Sequence, residues 1–310
     1  MEWQALQKAA GWRDMSDRSR LCLLGEDRAA FLRGQVTSDI NSLAEHTGCY
    51  AAVVNAKGKM ESDLFAYRLA DELLLDFEPG LTGAVTTRLE NYIIAEDVEV
   101  VDVAPHFGQL TVQGPTAGAV LAALGRPTPG EPLTVEETAA EIFVINQPRL
   151  GTSGFDLFVP AAEVDSMKSQ LEVHAPECGE AAFDKARVLA TIPRFGVDFD
   201  ETNLAPEVGI EARAISYAKG CYIGQEIIAR IRTYGKVNRS LRGLKLDQPV
   251  TAGTELMLGD KEVGQVTSVT TEPDAALAIV HRNAAEVGMK LKAGEAIATV
   301  ATLPFEALKL

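Results

Sequence analysis

Between Tyr50 and Glu78 apolar and polar positions alternate in three runs, YAAVVN, SDLFAYRL and ELLLDFE. AKGK and ADE separate them. A period of two interrupted by turn residues predicts three antiparallel strands in a meander. Upstream, Gly25 to Ile40 places Ala29, Phe31 and Leu32 on a short helix, with Glu26 and Asp27 where a helix start favours negative charge. Thr86 to Ile94 reads as the end of another helix. Further strands are predicted at Val98–Val103, Gln109–Val112, Glu141–Asn146 and Phe155–Val159, and helices at Pro115–Leu124, Ala161–Val173 and Glu180–Ala190. Strands and helices mix without regular alternation, so the fold class is α+β rather than a doubly wound parallel sheet. After Ser240 the character changes to short strands, LRGLKL, TELML, KEVGQVTSV, ALAIVH, MKLKA and AIATVATL, split by Gly, Asp and Pro. These predict a small six-stranded β-barrel over residues 240–310, behind a larger mixed region over 1–239.

A chain of 310 residues, 46% hydrophobic, has room for more than one core. Its net charge of −15 repels phosphate backbones, which argues against a general DNA binder. No stretch reaches the roughly 18 apolar residues of a membrane span. The four cysteines, Cys22, Cys49, Cys178 and Cys221, have no paired short spacing, and the four histidines lie far from them. This fits neither a metal module nor a disulfide framework and points to a reducing, cytoplasmic compartment.

One segment departs from the acidic average. From Lys219 to Lys245 there are basic residues at 219, 230, 232, 236, 239, 242 and 245 and a single acid, Glu226. Ile227, Ile228 and Ile231 put one apolar face on a helix starting near Gln225. Cys221 then falls in the turn before it, between Gly220 and Gly224, which permit close approach of another group. Helix-start amides and Lys219 favour a thiolate. The plain alternative is a small buried cysteine in a glycine-shaped turn. The basic run is either a solvated face or a place for an anion, and Lys57-Gly58-Lys59 is a second short basic turn.

The segment KGCYIGQEIIAR resembles the signature of the folate-binding YgfZ proteins, relatives of the glycine cleavage system T-protein, an aminomethyltransferase. FLRGQVTSDI (31–40), NAKGKMESDLFAYR (55–68), VQGPTA (112–117) and IPRFGVDFDETNLAPEVG (192–209) follow in the family's order, so the resemblance spans nearly the whole chain. It implies a cloverleaf of two interleaved α+β subdomains and a C-terminal barrel around a cleft for tetrahydrofolate. It implies an accessory role for iron-sulfur enzymes, including tRNA-modifying ones, and a functional thiol at Cys221 with Lys219 beside it. The implied folate contacts are Asn55, Phe183, Arg194, Gly220, Tyr222, Gly224, Gln225, Glu226 and Arg230. No metal is implied for this chain alone, since a cluster takes about four ligands.

Two departures bear on activity. The T-protein carries a carboxylate a few residues after the LLLD strand; ungapped counting reaches Gly83 here, and no Asp or Glu lies between Pro79 and Arg88. Leu189 stands where relatives have a glutamate for the pterin edge. The first leads away from a tetrahydrofolate-dependent aminomethyl transferase, which stays as the alternative to the accessory role; the second implies a weaker or different hold on the pterin. A tRNA-binding module using 219–245 is a further alternative, though aromatic content is 6% and scattered. A cysteine hydrolase is the weakest, because His46, His106, His174 and His281 have no motif context.

Overall fold

The computed structural model describes residues 2–235, 237–272, 274–302 and Phe305. Lys236 of the basic stretch and Leu303 of the last expected strand lie outside them. Helix α1 (Glu2–Lys8) leads into β1 (Gly11–Asp14) and β2 (Ser19–Leu24), then α2 (Arg28–Gln35). The meander follows as β3 (Thr47–Val54), β4 (Met60–Arg68) and β5 (Leu73–Phe77), with α3 (Thr82–Glu90) and β6 (Glu99–Asp102) after it. Together they make a sheet ordered β3-β4-β5-β2-β6. A second unit runs β7 (Phe107–Gln113), α4 (Ala117–Ala123), β8 (Val135–Glu137), β9 (Phe143–Asn146) and β10 (Gly154–Pro160), and its sheet is β1-β7-β10-β9-β8. Both sheets are antiparallel throughout. Four helices follow: α5 (Val164–His174), α6 (Glu180–Leu189), α7 (Glu211–Ala214) and α8 (Gln225–Tyr234). Strands β11 (Arg239–Leu246), β12 (Glu255–Leu258), β13 (Lys261–Thr270), β14 (Ala275–His281), β15 (Lys290–Ala293) and β16 (Ala296–Ala301) then close a barrel in the order β11-β14-β13-β12-β15-β16. The fold is the α+β class with a six-stranded C-terminal barrel that the periodicity predicts. Among the described residues no helix is long and apolar enough to cross a membrane.

The sequence pattern misses β1, β2 and β8. SRLCLL at β2 has no alternation to detect, because the strand lies between β5 and β6 and nearly all of it is buried. The position of β1 is nonlocal as well: it pairs with β7, about a hundred residues on in sequence.

Strand parity sorts the side chains. On β5, Leu73, Leu75 and Phe77 join Phe31 and Leu32 of α2 and Val85 and Leu89 of α3 in one core. Leu74 and Asp76 therefore point the other way, towards the second sheet. On β10, Phe155, Leu157 and Val159 pack with Val120 and Leu121 of α4 and Met167 and Leu171 of α5. Phe158 and Asp156 face back, and Phe158 meets Leu74 and Tyr67 in the layer between the sheets.

This parity buries two carboxylates between the sheets. Asp76 and Asp156 are fully buried. Arg149, from the β9–β10 connection, donates Nε to Asp156 at 2.8 Å and Nη2 at 2.6 Å, and its Nη2 also reaches Asp76. Arg18 donates Nε to Asp76 at 2.6 Å and Nη1 to Glu78 at 2.6 Å. Gln109 Nε2 adds a bond to Asp156 at 3.1 Å. Burial alone would raise the Asp76 carboxyl; the two arginines reverse this and hold it below the usual carboxylate range. The barrel is attached by apolar contact: Val188 and Leu189 of α6 share a core with Tyr50, Phe199, Ala275, Leu277 and Ile279.

Arg149→Met is expected to destabilise the fold by roughly 3–5 kcal/mol, because it strips the partner from two buried carboxylates. The check is a fall in the urea midpoint that shrinks when Asp156→Asn is added. The lowered Asp76 also sets a sign. Its contribution is present above the ordinary carboxylate range and is lost as pH falls through that range and below it.

Candidate functional site

A cleft of about 470 Å³ opens where the two sheets meet α6 and the loop carrying Arg194. Its volume is in the range of small-molecule sites. The side of β4 that carries Asp63 and Phe65 forms one wall, and Phe183, Asp184 and Arg187 of α6 form another. The α6 residues share a face because 183, 184 and 187 follow the helical period. Tyr50 and Phe65 lie with ring centroids 4.9 Å apart, and Arg149 lies over Phe65 at 5.5 Å. Arg13 lies over Phe183 at 5.8 Å.

Three of the acids in or just behind this cleft, Asp76, Glu78 and Asp63, are buried or nearly so, and arginines are shared unequally among these three. Asp76 has two. Glu78 takes Arg18 and, at 3.1 Å, Arg194 Nε, which hold its carboxyl low against its burial. Asp63 forms no ion pair among the described residues, and its side-chain partner is the buried hydroxyl of Tyr50, which donates to Oδ2. Burial pushes the Asp63 carboxyl up to about 6, with Glu78 adding to the rise and the Tyr50 and Arg18 contributions opposing it. The result is one buried carboxylate whose protonation changes near neutral pH, beside Asp76 and Glu78, which arginines hold low. Such a group can accept a proton from, or hold, a substrate amine.

The sequence expectation of no Asp or Glu between Pro79 and Arg88 stands: Gly83 lies on α3 and does not line the cleft, while β4 contributes a different carboxylate, Asp63. Its signal was present in SDLFAYR: Asp63, Phe65 and Tyr67 share a parity opposite to the core residues Leu64 and Ala66. Leu189 likewise does not line the cleft and is fully buried in the core behind it. A Leu189→Glu change would bury a carboxylate there rather than present one to a ligand.

Of the residues the resemblance implies as folate contacts, Phe183 and Arg194 line the cleft; Asn55, Gly220, Tyr222, Gly224, Gln225, Glu226 and Arg230 do not. Asn55 is a turn former: Oδ1 accepts from the backbone N–H of Lys57 at 2.9 Å and of Lys59 at 3.2 Å. The two glycine turns are packed together. Gly224, at φ +81°, would bring a Cβ to 2.5 Å from the Asn55 carbonyl oxygen, and a Cβ on Gly58 would meet Ile227 at 3.2 Å. Lys219 is buried and donates to the carbonyl oxygens of Val36 at 2.6 Å, Ser38 at 2.8 Å and Arg33 at 2.5 Å. Burial pulls its ammonium down to about 8, against three acceptors that use all of its protons. The charge of Lys219 therefore ties the turn to the end of α2. Tyr222 and Ile228 sit in the core that also holds Tyr50. Cys221 is turned out and exposed, as are Glu226 and Arg230 on α8. Among the other basic residues of the stretch, Arg232 stacks on Tyr217 at 3.9 Å and Arg242 Nε donates to the Ala285 carbonyl at 2.9 Å.

Gly224→Ala is expected to lower stability by roughly 1–3 kcal/mol, from a left-handed backbone and a backbone clash. Cys221→Ser is expected to leave it within about 0.5 kcal/mol, since the side chain is exposed. Thermal unfolding of the two variants beside the wild type separates the turn's structural residues from the one it presents.

Comparison with known proteins bears on the family and the fold. The family described as GCVT N-terminal domain matches residues 1–219. A chloroplastic protein of Arabidopsis thaliana named as a transferase is 28% identical, over 93% of this chain and 69% of its own. The aminomethyltransferase of Staphylococcus haemolyticus is 27% identical, over 94% of this chain and 84% of its own. Among solved structures, the glycine cleavage system aminomethyltransferase T of Bartonella henselae superposes with a TM-score of 0.91 at 24% identity, over 98% of this chain and 88% of that one. That structure shares the fold. With the family match covering more than two thirds of its length, this chain belongs to the GCVT, or aminomethyltransferase, superfamily.

Proposed function

We propose that this chain is a tetrahydrofolate-binding protein and that folate-dependent one-carbon transfer is the chemistry its cleft supports. The observation that carries the reading is Asp63, a buried carboxylate without an ion-pair partner in an aromatic-walled cleft. The residues present suit a reduced folate. Tyr50, Phe65 and Phe183 offer aromatic surface to a flat ring, and Asp63 offers an acceptor to ring or amine N–H groups. Gln147, also on the cleft wall and buried, has an Nε2 with no acceptor among the described residues, a donor that a polar ring edge would satisfy. Tetrahydrofolate, when bound, supplies the nucleophilic amines that take up a one-carbon unit. Asp63, held by Tyr50, orients an amine and takes its proton. The relatives named aminomethyltransferase support the same class of reaction.

Calorimetric titration with tetrahydrofolate tests binding, and micromolar affinity is the expected result. Turnover with an aminomethyl donor is expected to rise with pH through about 6, as Asp63 ionises. Asp63→Asn is expected to abolish that limb and reduce turnover by at least 100-fold. The sign for stability is opposite. A carboxyl raised in the folded state costs stability above its unfolded value, so Asp63→Asn at pH 7 should unfold no more easily than wild type and gain up to ~3 kcal/mol. Turnover unchanged in Asp63→Asn would refute the assignment.

A second reading rests on a different observation, the exposed thiol of Cys221 on a turn fixed by Lys219 and Gly224. With the YgfZ-like signature around it, this favours an accessory role for iron-sulfur enzymes, in which the thiol works outside the cleft. Cys221→Ser should then fold and bind tetrahydrofolate like wild type, yet fail to restore iron-sulfur enzyme activity in cells lacking the protein. Full rescue would remove this reading and leave the first standing.

A further inference from the structure

Six arginines line the cleft, and five have an acidic partner. Arg18 is spent on Asp76 and Glu78, Arg149 on Asp76 and Asp156, and Arg187 on Asp184 at 2.6 Å and Asp198 at 2.5 Å. Arg194, one of the implied folate contacts, is engaged by Glu78 and by Glu180 at 3.3 Å. Arg13 has a longer contact with Glu180, 3.7 Å. Arg213, at the end of α7, makes no ion pair and no side-chain hydrogen bond among the described residues. It is nevertheless held in place, because its guanidinium lies over the ring of buried Tyr50 at 5.1 Å. Arg213 is itself exposed, so the stacking orients a guanidinium that solvent alone would leave free to turn. Here a stacked cation, with its donors free, stands at the cleft on the ring whose hydroxyl binds Asp63.

We propose that Arg213 is the anion anchor of this cleft: it binds a carboxylate carried by the ligand and selects for ligands with an anionic tail. The inference rests on the folate reading for the identity of that ligand. Arg194 cannot offer its full charge, since two carboxylates already compensate it, whereas a ligand carboxylate at Arg213 competes with no protein acid. Stacking also fixes the plane of the guanidinium, so less freedom is lost when a carboxylate docks on it. The same contact couples recognition to chemistry. A ligand seated on Arg213 braces Tyr50, and Tyr50 positions Asp63.

The test is calorimetry with two ligands on wild type, Arg213→Ala and Arg213→Lys. One ligand is tetrahydrofolate; the other is its analogue with both glutamate carboxylates amidated, equal in size and without the charge. Arg213→Ala should weaken tetrahydrofolate binding about tenfold and leave the neutral analogue unchanged, with Arg213→Lys between the two. Equal losses for both ligands would mean that Arg213 only supports Tyr50, and no loss for either would mean that it is solvated; both overturn the anchor. If wild type binds neither folate, the folate reading fails, and glutarate decides the anchor separately. Glutarate should then raise the Tm of wild type and not that of Arg213→Ala, and equal responses would overturn the inference whatever the natural ligand is.

Discussion

Asp76 and Asp156 face each other across the two sheets, both fully buried, and the arginines that neutralise them hold the larger part of the molecule together. Arg149 comes from the second unit and reaches Asp76 on the first. Arg18 enters from the β1–β2 connection, where the chain passes from one sheet to the other. Arg149 pairs with Asp156 in its own unit and with Asp76 across the layer, so this shared arginine favours one way of stacking the sheets. Apolar residues such as Leu74, Tyr67 and Phe158 fill the same layer, but they tolerate sliding in a way that bidentate charge pairs do not.

The cleft inherits its chemistry from that layer. Arg18 divides its donors between Asp76 and Glu78, and Arg194 closes the chain of charges at the cleft's edge. The arginines are thereby consumed before they reach Asp63, which keeps a phenol for a partner and a raised proton affinity. Environment, rather than residue type, separates the tied carboxylates from the available one. On the far side of Tyr50 the unequal sharing has its complement, an arginine with no acid of its own.

The cysteine turn obeys a different constraint. Lys219, Gly224 and Gly58 serve backbone geometry: three carbonyls need an ammonium, and two turns packed glycine to glycine admit no side chain. The motif therefore supports the cleft indirectly, through the core shared by Tyr222, Ile228 and Tyr50, while turning Cys221 outward. Motif residues and cleft residues are thus two sets, joined by packing. A linear signature marks both without distinguishing them.

The sequence by itself determined the local elements and the class of fold. Alternation placed the 50–78 meander and the six barrel strands, and helical periodicity placed α4, α5, α6 and α8, because those signals depend on neighbours along the chain. It also marked the 219–230 segment as constrained. Tertiary structure decided what each charge does. Strand β2 has no alternation to read because both its faces are covered, and β1 finds its partner at β7. Leu189 and Asn55 stood at promising positions in the linear order, yet one is core and the other a turn. Asp63 lay unremarked in a strand that had been assigned correctly. Parity tells which face a residue occupies, but the proton affinity of a carboxylate depends on which arginines arrive from distant segments, and sequence separation carries no information about that distance in space.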